Sequence, residues 1–275
     1  MKSIKKLMAL VLSFVLIAAL FAGCGTKDNG GTTANASQAG SQKTVLKLGF
    51  DASFPPMGFK DEKGNYVGFD IDVAKEACKI LGYELELVPI DWDSKDSELK
   101  AGNIDMIWNG FTMHVDNRDN DYTWTEAYMN NAQVICVASD SAITKISDLA
   151  GKVVGAQKDS SGLAAAEATP AIKDKAASIE QFADYDTALM NLESGAVAAV
   201  VIDQIVINYK ISQGNDKFKV LDEKLSPEEY GVAFLKGNTE LRDKIQNALN
   251  TLATNGKLAE ISTKWFGSDI TTVGK

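Results

Sequence analysis

Polar and apolar residues alternate with period two over residues 45–50 and again over 83–90, which predicts half-buried strands. Between them, residues 70–81 repeat their apolar positions at helical spacing, with Ile71, Ala74, Cys78 and Leu81 on one side. A second helix is predicted over 94–101 and a short buried strand over 104–108. The order β-α-β-α-β argues for an open α/β sheet. A similar series follows: a strand at 152–157, helices over 161–167 and 185–194, a strand at 198–202 and a helix running through Ile211. Two α/β lobes are therefore expected.

A short internal echo supports that reading. Residues 99–107 and 192–200 each run from a helix end, through Gly102 or Gly195, into an apolar strand. Asn109-Gly110-Phe111-Thr112 is expected to follow the first strand and Asp203 the second. Open α/β sheets bind ligands beyond the carboxyl ends of their strands. The two strand ends thus nominate a cleft between the lobes.

The amino-terminal segment has a different character. Lys2, Lys5 and Lys6 precede an apolar run over 7–23 broken only by Ser13, the pattern of a secretory signal peptide. Ala22 and Gly23 before Cys24 resemble the lipobox of bacterial lipoproteins, with Phe21 departing from the usual aliphatic residue. Cys24 is then the expected lipidation site and first mature residue. An uncleaved membrane anchor is the alternative. Residues 24–43 are dominated by small and polar residues and offer no large apolar side chain to bury, so they are expected to form a flexible tether. The body is thus expected on the extracytoplasmic face of the cell membrane, held by lipid alone.

Removing residues 1–23 takes away three lysines and lowers the formal charge from −9 by three, to −12. That balance argues against nucleic acid and polyanionic ligands. Cys78 and Cys136 read as small core residues rather than a disulfide. With one histidine, His114, and no cysteine cluster, neither a structural zinc site nor any other cofactor is expected. Of the 28 basic residues only Arg118 and Arg242 are arginine. An arginine kept among so many lysines suggests a need for the planar guanidinium fork, which grips a carboxylate through two parallel hydrogen bonds. An ordinary surface cation is the competing reading.

Five segments carry a resemblance to a known family: Asp51-Ala52-Ser53-Phe54-Pro55-Pro56, Gly68-Phe69-Asp70-Ile71-Asp72-Val73-Ala74, Asn109-Gly110-Phe111-Thr112 with Arg118, Gly151-Lys152-Val153-Val154-Gly155, and Lys264-Trp265-Phe266-Gly267. In this order, over about residues 45–268, the chain resembles the polar amino acid-binding proteins of ABC importers. The resemblance implies an α/β venus-flytrap, the periplasmic binding protein-like type II fold, with each lobe a mixed sheet flanked by helices. It implies two hinge crossings, near 130–134 and 226–230. Lobe 1 would comprise 44–133 plus 229–268, lobe 2 would comprise 134–228, and 269–275 would form a carboxyl-terminal tail. A monomer that delivers a free amino acid to an ABC permease is the implied partner set, with no catalysis.

Carried over by motif, Arg118 would clamp the α-carboxylate, Thr112 would add a hydroxyl or N–H, and the Gly110 carbonyl would accept from the ammonium. The interval from Gly110 to Arg118 is one residue longer than the family's. Ser160 and Ser161 would offer a helix amino terminus to the carboxylate, or simply cap that helix. Asp203 would face the ammonium; capping the next helix is its alternative. Phe54 and Trp92 resemble the aromatics that sandwich the ligand side chain, with lobe-edge packing the alternative for Trp92. Asp51, Asn109 and Gln157 are further candidate side-chain readers. An enzyme on the same scaffold, similar to cyclohexadienyl dehydratase, is the competing function, with His114 as its only histidine.

Overall fold

The computed structural model describes residues 44–275. The signal peptide, Cys24 and the tether expected over residues 1–43 lie outside the described residues. Along the chain come β1 (Val45–Phe50), β2 (Ser53–Phe54), β3 (Gly58–Lys60), β4 (Tyr66–Val67), α1 (Phe69–Leu81), β5 (Glu84–Pro89), α2 (Lys95–Ala101), β6 (Met106–Thr112), α3 (Arg118–Asp121) and β7 (Tyr122–Trp124). There follow β8 (Met129–Ala138), β9 (Val153–Gln157), α4 (Ser161–Ala168), α5 (Pro170–Lys173), β10 (Ser178–Phe182), α6 (Tyr185–Glu193), β11 (Ala199–Asp203) and α7 (Gln204–Ser212). The long β12 (Phe218–Leu235) then leads to α8 (Thr239–Thr254) and α9 (Lys257–Phe266).

Nine strands form one mixed sheet in the order β10-β9-β11-β8-β12-β6-β1-β5, with β7 also pairing β12. At one end β1 lies parallel to β5 and β6; at the other β9 lies parallel to β10 and β11. The antiparallel strands β8 and β12 join the two sets. β12 pairs β8 from Phe218↔Ala138 to Tyr230↔Met129 and continues against β6 to Phe234↔Met106. The result is the two-lobed α/β fold with two strand crossings that the resemblance implies.

Burial follows the patterns read from the sequence. Helix α1 turns Phe69, Asp70, Ile71, Val73, Ala74, Ala77 and Cys78 inward, with Asp72 in its first turn and Lys79 in its last, which suits the helix dipole. Cys78 and Cys136 are free and buried. The carboxyl-terminal residues are docked rather than loose: Thr272 donates its N–H to the Tyr128 carbonyl at 2.9 Å, and Val273 is buried.

One expectation needs correction. Asn109-Gly110-Phe111-Thr112 does not follow the strand but forms its second half, because β12 supplies partners Tyr230↔Thr112 and Gly231↔Phe111. Asp203 likewise closes β11, where Gln133 of β8 faces it. The strand continues through these turn-forming residues because β12 pairs with it on both sides of a bulge at Gly110.

Candidate functional site

Strand ends and the adjoining loops of the two halves meet in a tight polar seam. At its first station Asp51, directly after β1, takes Gln157 Nε2 from the end of β9 at 2.8 Å. The Asp51 N–H donates to Asn109 Oδ1 at 3.0 Å, and the Ser53 N–H donates back to Asp51 Oδ1 at 2.8 Å. Burial raises the Asp51 carboxyl to about 6 against the lowering effect of those donors. Asp51 and Trp92 also line a crevice of about 440 Å³ between the halves.

The second station lies deeper. Thr112 Oγ1 sits 3.1 Å from Ser161 Oγ and donates to Glu228 Oε2 at 3.2 Å. Gln133 Nε2 donates to both Ser161 Oγ and Glu228 Oε2, at 3.2 and 3.1 Å. Asn131 Nδ2 reaches Asp203 Oδ1 and Glu228 Oε2, each at 2.8 Å. Asp203 also accepts from the Tyr185 hydroxyl at 2.8 Å and the Tyr230 hydroxyl at 2.5 Å. Burial raises both carboxyls; Glu228 goes to about 7, with the neighbouring Asp203 as the next cause. Asp203 precedes α7 but its side chain makes no cap bond, so its carboxylate is turned wholly to the seam.

Ser160 caps α4, accepting from the Leu163 N–H at 3.1 Å and donating to the Gln157 carbonyl at 2.8 Å. Ser160 thus serves as the helix cap, while Ser161 faces the seam. Gly110 is held at φ 57°, and a Cβ there would lie 2.9 Å from the Phe54 ring. Only a glycine fits so close an approach in that conformation. Its N–H donates to Asp70 Oδ2 at 2.7 Å, and the Tyr128 hydroxyl donates to the same oxygen at 3.0 Å. Asp70 Oδ1 and the Trp108 indole N–H beside it make no hydrogen bond. Wholly enclosed and facing neutral donors only, the Asp70 carboxyl is pushed up to about 8 by burial.

Arg118 is not a surface cation. It is only 7% exposed, stacks its guanidinium 4.7 Å over the Phe111 ring and donates Nη1 to the Thr112 carbonyl at 2.9 Å. That bond ties the longer loop back to β6. Burial lowers the Arg118 pKa, with Asp116 the largest opposing influence. Trp92 meets Phe111 edge-on at 5.2 Å, and Phe54 lies 5.8 Å from Tyr185 across the seam. The site residues proposed from sequence thus fall into three neighbouring groups: Asp51 with Asn109 and Gln157, Thr112 with Ser161 and Asp203, and Arg118 with Trp92.

Sequence reasoning missed Glu228, Asn131, Gln133, Tyr185, Tyr230 and Lys95. Four of these, Asn131 and Gln133 of β8 and Glu228 and Tyr230 of β12, are legible in hindsight as period-two positions on facing strands, since Met129↔Tyr230, Asn131↔Glu228 and Gln133↔Ser226 are cross-strand partners. Lys95 reads as a helix-surface lysine, yet it is buried, sits 5.3 Å from the Trp92 ring and ion-pairs Asp159 across the seam. A reciprocal pair joins Lys158 to Asp93 at 2.5 Å. His114 is exposed and bonded to Asp119 at 2.8 Å.

Residues 46–268 match the bacterial extracellular solute-binding proteins, family 3. The chain belongs to this family. Among similar curated proteins is the L-cystine-binding protein TcyJ of Escherichia coli K12, 28% identical over 232 residues that cover 84% of this chain and 85% of that one. Another is the arginine-binding extracellular protein ArtP of Bacillus subtilis 168, 29% identical over 265 residues, 95% and 98% of the two chains. Among solved structures, an ABC uptake transporter substrate-binding protein from Streptococcus pneumoniae with bound histidine superposes with a TM-score of 0.80 at 37% identity, covering 83% of this chain and 94% of that one. For a family 3 solute-binding protein, the seam between the halves is the natural place to look for the solute.

Proposed function

We propose that this solute-binding protein captures a free amino acid between its halves and presents the closed form to an ABC-type amino acid importer. The observation that carries the reading is the seam itself: buried polar groups from both halves converge there, the Asp203 and Glu228 carboxylates beside the amino terminus of α4 and the Arg118 guanidinium against the Thr112 carbonyl. A zwitterion needs that complement. Arg118, Thr112 and the N–H groups at the start of α4 suit the α-carboxylate, while Asp203 suits the ammonium. Phe54 and Trp92 would flank the side chain. Asp51, Asn109 and Gln157 would read its far end, and a raised carboxyl at Asp51 favours a cationic or amide group there.

Binding and closure are one event in this scheme, because contacts to the second half exist only when the halves meet. The halves would be residues 44–133 plus 229–268 and residues 134–228, bending at 130–134 and 226–230. A monomer anchored through a lipid on Cys24 completes the proposal; Cys24→Ser should release the protein from membranes and abolish incorporation of labelled fatty acid. The enzyme alternative lacks support, since a general acid or base must reach the bound substrate and His114 is exposed and held by Asp119. A thermal-shift screen against the common amino acids, followed by calorimetry, tests the function. Arg118→Ala is expected to weaken binding at least tenfold, and Arg118→Lys also to weaken it, for want of the bidentate fork. Unchanged affinity in both variants would remove Arg118 from the site.

A further inference from the structure

Glu228 stands in the crossing strand β12, and nothing in the motif pattern gives it a role. It is buried, and its two oxygens differ sharply. Oε2 accepts from Asn131, Gln133 and Thr112, whereas Oε1 is buried with no partner. A buried carboxylate oxygen left without a donor is costly unless something fills it. Asp203 is a neighbouring carboxylate, and one amide nitrogen, Asn131 Nδ2, bridges the two at 2.8 Å to each.

The surroundings of this pair contain donors but no counter-ion. Tyr185 of α6 and Tyr230 of β12 give neutral hydroxyls to Asp203, and Asn131 and Gln133 of β8 give amides. Thr112 of β6 gives its hydroxyl, and Ser161 of α4 joins through Thr112 and Gln133. Arg118 at the start of α3 feels the charge of Glu228, but among the described residues neither carboxylate of the pair forms an ion pair. On the outer side, His114 faces Glu229 at 3.7 Å and Asp119 at 2.8 Å, so its charge is directed to those carboxylates. Two adjacent buried carboxyls without a cation cannot both ionise freely.

We infer that Glu228 and Asp203 act as one acidic pair that holds a proton while the cleft is empty and releases it to solvent when a ligand ammonium enters. The ammonium supplies the missing hydrogen to Glu228 Oε1 and the missing positive charge to the pair. The departing proton goes to the buffer, so the site carries the same net charge before and after. Glu228 thereby becomes a specificity residue: a ligand without the ammonium leaves the pair protonated and gains nothing from it. The raised carboxyls noted above agree with this arrangement.

This inference rests on the amino acid reading of the site, and calorimetry separates the two. The full chain is titrated with whichever of L-arginine, L-histidine, L-cystine and L-glutamine binds most strongly, at pH 6.5 in phosphate and in Tris, whose ionisation heats differ. Release of about half a proton or more per ligand is expected from the difference between buffers, falling towards zero at pH 9. In Glu228→Gln, which keeps the shape and the Oε2 acceptor, the release at pH 6.5 is expected to drop by at least half. Equal release in wild type and variant would overturn the pair, because Asp51 or another carboxyl would then be the source. Should the variant fail to fold, infrared difference spectra of the wild-type protein decide: ligand must convert a carboxylic-acid band into a carboxylate band, and its absence overturns the inference. No binding heat with any of the four amino acids would instead overturn the amino acid reading.

Discussion

Asp70 offers a stringent test of how the floor of the seam is built. Its carboxyl is enclosed, receives the Gly110 N–H and the Tyr128 hydroxyl on Oδ2, leaves Oδ1 unpaired, and is pushed up to about 8 from 3.8 by burial. Between those two values the folded chain holds a proton that the unfolded chain has lost. Fewer protons on the unfolded state mean that stability falls as pH rises through this window and levels off above about 8. At about 1.36 kcal/mol per unit, keeping Asp70 neutral at pH 7 costs roughly 4 kcal/mol relative to a side chain that never ionises. Asp70→Asn is such a side chain, with an oxygen for the same two donors and an amide where the protonated oxygen already lacks a partner. Urea denaturation from pH 4 to pH 8 should find wild type and variant similar near pH 4. By pH 8 the variant should lead by about 4–6 kcal/mol, which allows about one unit of uncertainty in the shift. Parallel stability profiles would show that Asp70 is ionised in the folded state and held by its two donors.

Two further outcomes follow from the seam. Asp159→Asn strands the buried Lys95 ammonium and should weaken ligand affinity by roughly 1–2 kcal/mol, whereas Asp93→Asn breaks an exposed pair and should cost less than about 0.5 kcal/mol, both read by calorimetry. Similar losses in the two variants would deny Lys95 its special place. Gly162→Ala puts a Cβ 2.9 Å from Gln133 Oε1, 3.0 Å from the Tyr185 hydroxyl and 3.2 Å from the Val201 carbonyl. It should lower stability by roughly 1–3 kcal/mol and weaken binding as well, because both displaced side chains serve the Asp203 and Glu228 pair. A variant that melts and binds like wild type would contradict that packing.

The α/β alternation and the helix α1 were legible because burial there follows a single period over a dozen residues. The second half of β6 was not, since Asn109 and Gly110 have turn chemistry and the strand runs on through them only because β12 pairs on both sides, with Ile107 before and Phe111 and Thr112 after, leaving Gly110 as a bulge at positive φ. Motif resemblance brought Asp51, Thr112, Ser161 and Asp203 to one seam, as found. Lys95 and Glu228 escaped because their burial is created by residues more than sixty positions away, Asp159 for one and Thr112 with Asn131 for the other. Charge alone gives no hint that a lysine or glutamate will be enclosed.

The continuous β12 also bears on how this protein comes apart. Its eighteen residues serve both ends of the nine-stranded sheet, so neither end can lose its strand without unpairing the other. A protein with two separable halves would be expected to melt in two steps, each half holding its own core. Here the shared ladder is expected to tie the two meltings into a single calorimetric transition, and a fragment cut within β12 would leave both parts with an incomplete sheet.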